Sequence, residues 1–217
     1  MKTVLLTGFE PFGGEVINPS GEIARQLHGT LIAGHRVHGV LLPCVFGAAI
    51  AELKKQIRAT KPALIVCVGQ AGGRAEITPE RVAINVDDAR IADNGGQQPV
   101  DRPIVRGGPA AYWSTLPVKA IVAALQQRGI PAAVSQTAGT FVCNHVFYGL
   151  MQVLQRKRGA RGGFIHVPFL PEQARRHGPR PAQPSLALET MALGIALALE
   201  TTLRTRREVR HSGGATH

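Results

Sequence analysis

Apolar positions along the chain fall into short continuous runs separated by longer stretches with helical spacing. Thr3 to Thr7 is a short apolar run of the kind found in a central strand, and Ala63 to Val68, closed by Gly69, is another, long enough to be buried on both faces. His35 to Leu42 alternates as a strand does. Ala48 to Ala59 instead brings Ile50, Leu53 and Ile57 onto one helical face. Asn18-Pro19-Ser20 supplies a helix start, which predicts a helix from about Gly21 to His28. Further on, the pattern predicts helices over Val118 to Arg128, Asn144 to Gln155 and Ser185 to Thr202. It predicts strands over Ile130 to Ser135 and over Gly163 to Val167, the latter ended by Pro168. Arg81 to Val86 reads as a strand or hairpin arm and Asp93 to Gly96 as a turn. The Gly- and Pro-rich stretch from there to Pro117 is an excursion, and Ala174 to Gln183 a polar, proline-bearing loop. Strands separated by helices imply an α/β fold with a largely parallel twisted central sheet and helices on both faces. Ligands in such folds bind beyond the carboxyl ends of the strands.

A chain of 217 residues with 44% hydrophobic content suits one domain, expected over residues 1–203, followed by a basic, unordered tail over 204–217. The net charge of +11 raises the question of a polyanion partner. The basic residues cluster at Arg156-Lys157-Arg158, at Arg175-Arg176 and from Arg204 onward, at expected helix ends, loops and the terminus, with no interleaved aromatics to stack on bases. That distribution favours a solvated surface over a nucleic-acid function. Three cysteines, Cys44, Cys67 and Cys143, have no framework spacing, so structural disulfides are not expected and a reducing cytoplasm is the natural setting. Val4-Leu5-Leu6 meets a glycine loop too soon for a signal peptide, and no stretch has the apolar length of a membrane span.

Chemistry concentrates at Ser135 to His145, where an expected strand runs through small residues to Cys143 at the start of an apolar helix. The partial positive charge of a helix N-terminus favours thiolate, and the free N–H groups of the first turn can hold an oxyanion. Free cysteines are also commonly small buried hydrophobes, and both readings stand at this point. Of the eight histidines, His166 alone ends an apolar strand, where it could meet Cys143 or simply be a satisfied core histidine. His145, two residues along the helix, should point away from Cys143. No Cys and His set has metal-ligand spacing, so no metal is expected. The loops Gly8 to Gly14 and Gly69 to Arg74 follow strands, yet neither carries a nucleotide fingerprint, and Phe9 and Phe12 suit an apolar pocket wall.

Four stretches go further than composition. They are Thr7-Gly8-Phe9-Glu10-Pro11-Phe12-Gly13-Gly14 with Asn18-Pro19-Ser20; Gly69 through Glu80-Arg81-Val82-Ala83-Ile84-Asn85; Ser135 through Cys143-Asn144; and Phe164-Ile165-His166-Val167-Pro168. With them the chain, from Lys2 to about Thr202, resembles the pyrrolidone carboxyl peptidase family of cysteine peptidases. The resemblance implies a three-layer α/β/α sandwich, a triad of Cys143, His166 and Glu80, no cofactor, and a homotetramer acting on small peptides with an N-terminal pyroglutamyl residue. It sets Arg90 near the oxyanion, substrate-pocket positions at Phe9, Phe12, Cys44, Ile91, Phe141, Val142 and Val146, and polar contacts at Asn18 and Gln70. For the apolar positions ordinary core packing competes with a pocket role. Composition and spacing do not single out Glu80 among the fourteen acidic residues. The chain departs from the family pattern at Cys44, where threonine is frequent, at Ala92, where proline is usual, and in a longer, more basic 174–183 loop. Two alternatives remain in view: another cysteine-dependent amidase of α/β fold, against which the aromatic loop argues, and a polyanion-binding module resting on charge alone.

Overall fold

The computed structural model describes residues 2–157, 159–176, 183–205, 208, 209 and 212. In chain order the elements are β1 (Lys2–Phe9), α1 (Pro19–Leu27), β2 (Leu31–Ile32), β3 (His35–Leu42), α2 (Ala48–Thr60), β4 (Leu64–Gln70) and β5 (Thr78–Pro79). There follow β6 (Val82–Ile84), β7 (Ala111–Trp113), α3 (Val118–Gln127), α4 (Val142–Gln155), β8 (Arg161–Val167), α5 (Pro171–Arg176) and α6 (Leu188–Arg204). The main sheet runs β2-β3-β1-β4-β8-β5. Its four central strands are parallel, while β2 and β5 close the two edges antiparallel. β6 and β7 form a separate antiparallel pair inside the glycine-rich excursion. The α/β architecture and the largely parallel sheet are as expected from the pattern.

The period of two along each strand sorts side chains into two cores. Val4 and Leu6, Leu64, Val66 and Val68, and Ile165 and Val167 pack with α1, α3 and α6 on one face. Leu5 and Phe9, Ile65 and Cys67, and Phe164 pack with α2 and α4 on the other. By the same parity Gly69 and His166, which are direct partners across β4 and β8, belong to the α4 face. Cys143 and His166 therefore come to the same side of the sheet, at its carboxyl edge.

Two close approaches set the geometry of the loop that follows β1. A Cβ on Gly8 would lie 2.0 Å from the Ser20 carbonyl oxygen, so α1 packs directly on the strand end. Asn18 caps that helix: its Oδ1 accepts from Ser20 N at 3.1 Å and from Ser20 Oγ at 2.8 Å, and its Nδ2 donates to Glu10 O at 3.0 Å.

The strand expected over Ile130 to Ser135 does not form. Pro79 lacks the N–H that would donate to Ala133 O, so the extended segment beside Ile77 to Arg81 makes only isolated bridges, Ile77 with Ala132 and Glu80 with Ser135. The edge of the sheet next to β8 is β5 instead. The loop expected from Ala174 begins inside α5, and residues 177–182 lie outside the described residues. The same holds for residues 206, 207, 210, 211 and 213–217 of the expected tail. α6 continues through Arg204, and Arg161 donates to the carbonyls of Thr202 and Thr205. Beyond the boundary expected at Leu203, the Glu208 carboxylate accepts from Lys119 N and Ala120 N, both at 3.1 Å, at the start of α3. The N-cap of α3, Pro117, offers no side-chain acceptor, so Glu208 serves as its cap. Glu208→Ala should accordingly lower stability by ~1 kcal/mol in chemical denaturation while leaving turnover unchanged.

Candidate active site

β8 delivers His166, and β5 delivers its partner. Thr78 pairs with His166, so Glu80, two residues on, lies on the same face and reaches the ring diagonally. His166 Nδ1 and Glu80 Oε1 are 2.7 Å apart, with both side chains almost completely buried. The same oxygen accepts from Arg74 Nη1 at 2.6 Å, so Oε1 is an acceptor and Nδ1 carries the proton. Nε2 is then the nitrogen left to exchange a proton with a thiol. Arg74 also donates to Thr78 Oγ1 at 2.6 Å and to the carbonyl of Thr137, in the loop leading to α4, at 2.9 Å. One guanidinium thus joins the loop after β4, the edge strand and the cysteine loop.

Cys143 is in the first turn of α4, whose N-cap residue Phe141 has no side-chain cap bond. Its sulfur sits over Gly69: a Cβ there would come within 2.8 Å of Cys143 Sγ and within 2.8 Å of the Phe164 ring. Only a glycine opposite His166 leaves room for the sulfur. The helix is tied down next door by Asn144, fully buried, which accepts from Ile84 N at 3.0 Å and donates to Ile84 O and Val86 O. Thr140 Oγ1 adds a 2.7 Å bond to Asp88 O across the entry loop. His145 points away from Cys143, as expected, and faces Asp87 through Nδ1 at 2.8 Å. Its Nε2 accepts from Gly47 N at 2.9 Å.

A cleft of about 530 Å³ opens beyond the carboxyl ends of β1, β4 and β8, lined among others by Phe12, Gln70, Gly72, Arg90, Ile91 and Phe169. Gln70, which lines the cleft, ends β4 one residue after Gly69, the residue over which the sulfur sits. Phe12 packs on Phe141 with ring centroids 6.0 Å apart, and Phe46 meets Phe141 edge-on at 5.4 Å. An apolar wall, a buried Glu–His pair and a cysteine at a helix start together make a site for acyl transfer through sulfur.

Comparison with known proteins agrees with this geometry. The family model described as pyroglutamyl peptidase matches residues 2–205. The chain is 60% identical to a pyrrolidone-carboxylate peptidase of Klebsiella pneumoniae, and 59% identical to one of Chromobacterium violaceum, with all of both chains covered in each case. It is similar to the crystal structure of pyroglutamyl peptidase I of Bacillus amyloliquefaciens with a TM-score of 0.91 at 48% identity, covering 96% of this chain and 100% of that one. The pyrrolidone carboxyl peptidase of Thermococcus litoralis gives a TM-score of 0.90 at 40% identity, over 94% of each chain.

The chain belongs to the pyroglutamyl peptidase family.

The residues that family resemblance marks for the pocket divide in two. Phe12, Phe141, Gln70, Ile91 and Arg90 are at the cleft or its wall, with Arg90 on the exposed rim. Phe9, Val142, Val146 and Cys44 are buried in the core on the α4 side, beneath that wall. Asn18 is buried, with its Oδ1 at the α1 cap and its Nδ2 on Glu10 O, and it is not among the residues that line the cleft. Arg74 and Gly69 escaped the reading of the sequence. Their signal was present in the Gly69 to Arg74 loop, which fits no phosphate pattern because its work is to seat a sulfur and a guanidinium.

Burial governs the charge states. Enclosure of the Cys143 sulfur, ahead of the neighbouring Cys44 thiol and Glu80 carboxylate, raises the thiol well above its ordinary range, with Arg74 opposing. Desolvation likewise lowers His166, with Glu80 opposing and Arg74 assisting. Burial thus opposes the helix terminus expected to favour thiolate, and it disfavours the charged form of thiol and imidazole alike. Cys44 and Cys67 are pushed up to about 12 by burial and stay protonated.

Two outcomes are expected. Gly69→Ala should lower kcat/KM by ~100-fold or more by displacing the sulfur or Phe164, with the chain still folded by circular dichroism. Because His166 must be unprotonated to act as base and its titration is shifted down, activity should persist below pH 6.5. Replacing the cation in Arg74→Met should move the acid limb to higher pH. Removing the anion in Glu80→Gln should move it lower, and should reduce kcat by ~100-fold or more.

Proposed function

We propose that Cys143, His166 and Glu80 carry out the family's reaction in this chain, hydrolysis of an N-terminal L-pyroglutamyl residue from peptides and proteins through a thioester. As the sulfur attacks the pyroglutamyl carbonyl carbon, the Cys143 proton passes to His166 Nε2. Glu80 holds the ring through Nδ1 and stabilises the imidazolium that forms. The first-turn N–H groups of α4 receive the developing oxyanion, with Arg90 contributing from the rim. Imidazolium then protonates the departing amine, and a water activated by the same ring hydrolyses the thioester. The observation that carries this reading is the 2.7 Å bond between His166 and Glu80 on the face where Cys143 sits over Gly69.

The ring to be recognised is neutral, with a lactam N–H and a carbonyl. Phe12 and Phe141 supply flat apolar walls and Gln70 an amide. A prolyl peptide has a similar ring but carries a secondary ammonium and lacks the lactam oxygen. An unpaired buried charge costs several kcal/mol and an unpaired buried polar group about 1–3 kcal/mol more, which favours rejection of that ring. Substrates are thus small peptides bearing an N-terminal pyroglutamyl group. The catalytic unit is one domain that runs through the end of α6, past the boundary expected at residue 203, with Glu208 adding the α3 cap. The site uses no cofactor or metal. A reducing cytoplasm suits three free cysteines, one of them the nucleophile. Resemblance to the family supports assembly as a homotetramer.

Amides of pyroglutamic acid, proline and glutamine with one fluorescent leaving group test the reading. The expected result is release from the pyroglutamyl amide alone, falling to background in Cys143→Ala and in His166→Ala. Comparable rates on prolyl and pyroglutamyl amides would refute the recognition argument, and full activity in Cys143→Ala the mechanism.

A further inference from the structure

Gln173, on the short helix α5, is fully buried, and four neighbours converge on its amide. Its Oε1 accepts from Leu170 N at 3.1 Å. Its Nε2 lies 3.1 Å from Ile17 O, 3.2 Å from Glu15 Oε2 and 2.9 Å from the Gln70 side-chain oxygen. Which end of a side-chain amide is oxygen is normally assigned from its neighbours. Here two backbone groups decide it, since an N–H can only donate and a carbonyl can only accept. The end of Gln173 facing Leu170 N must be oxygen and the end facing Ile17 O must be nitrogen.

That assignment propagates. The atom of Gln70 that meets a donating Nε2 must itself be an acceptor, so the oxygen of Gln70 is turned toward Gln173 and away from substrate. Gln70 lines the cleft, and the end of its amide not engaged by Gln173 is the NH₂ group. Gln70 and Gln183 are the side-chain amides that line the cleft among the described residues, and of the two Gln70 is the one beside Gly69.

We infer that Gln173 is a specificity-determining positioning residue: by fixing Gln70 with its donor end in the cleft, it makes the site select an acyl group bearing a carbonyl oxygen on its ring. The inference rests on the pyroglutamyl reading above and deepens it. A free Gln70 could rotate and offer its oxygen, which would accept a bond from a ring ammonium. The locked orientation forbids that, so a ring with a lactam oxygen is bound and one with a ring ammonium meets only a donor. Gln173 itself touches no substrate and acts through Gln70.

The test is a double-mutant cycle on the full chain with pyroglutamyl and prolyl amides. Gln70→Leu should lower kcat/KM for the pyroglutamyl amide by ~10- to 100-fold, chiefly through KM. Gln173→Met should lower it by ~5- to 20-fold, again through KM with kcat nearly kept, and the double variant should be no worse than Gln70→Leu alone. Losses that multiply in the double variant, or a Gln173→Met loss confined to kcat, would overturn the coupling. Gln70→Glu keeps an oxygen for Gln173 and replaces the donor by a carboxylate. It should fold as the parent does and lower the ratio of pyroglutamyl to prolyl kcat/KM by ~100-fold or more. An unchanged ratio would overturn the donor assignment even if Gln173→Met failed to fold. A parent protein inactive on every pyroglutamyl amide would instead refute the functional reading, a distinct outcome.

Discussion

A carboxylate with no exposed surface, Glu80, is the constraint around which the site is arranged. Taking such a group out of water costs several kcal/mol unless charged or hydrogen-bonding partners replace the solvent. Those partners are His166 and Arg74, and both bind the same oxygen. The other oxygen, Oε2, is buried with no hydrogen-bond partner among the described residues. Compensation for the burial therefore falls on one atom, and the loss of either partner would be felt by the other. The edge strand β5, the Gly69 to Arg74 loop and the carbonyl of Thr137 are all committed to holding that arrangement in register.

Strand parity then explains why the cysteine can be reached at all. Phe164 and His166 share a face with Cys67 and Gly69, and α4 is the helix that covers that face. The ring of His166 lies 4.8 Å from that of Phe164, and the sulfur of Cys143 fills the volume that any side chain on Gly69 would occupy. A shift of register by one residue would send His166 into the opposite core, among Ile165 and Val167. The active edge is thus a consequence of the same alternation that builds the hydrophobic layers.

Electrostatics at this edge shows two effects of opposite sign. The start of α4 favours negative charge on the sulfur, whereas enclosure by Gly69, Phe164 and the aromatic wall disfavours charge on sulfur and imidazole alike. Enclosure raises the thiol and lowers the imidazole. Glu80 and Arg74 pull His166 in opposite directions, the carboxylate up and the guanidinium down, while desolvation sets the net shift downward.

The sequence by itself determined the alternation of strands and helices, the burial of β1 and β4, the α1 cap at Asn18 and the position of Cys143 at a helix start. These are local matters, written in periods of two and of 3.6 and in capping chemistry. Resemblance added Glu80 and the pocket positions, which no local pattern distinguishes. Tertiary structure decided the rest. It withheld a regular strand from Ile130 to Ser135, because Pro79 on the partner segment has no N–H for the rung between the two bridges. It brought Thr78, Glu80 and Thr137 to the guanidinium of Arg74. Through Gln173, 103 residues from Gln70 in sequence, it set which end of an amide faces the cleft. Partners that far apart leave no periodic trace in a single sequence; only the packing of β4 against the turn into α5 brings them within a hydrogen bond.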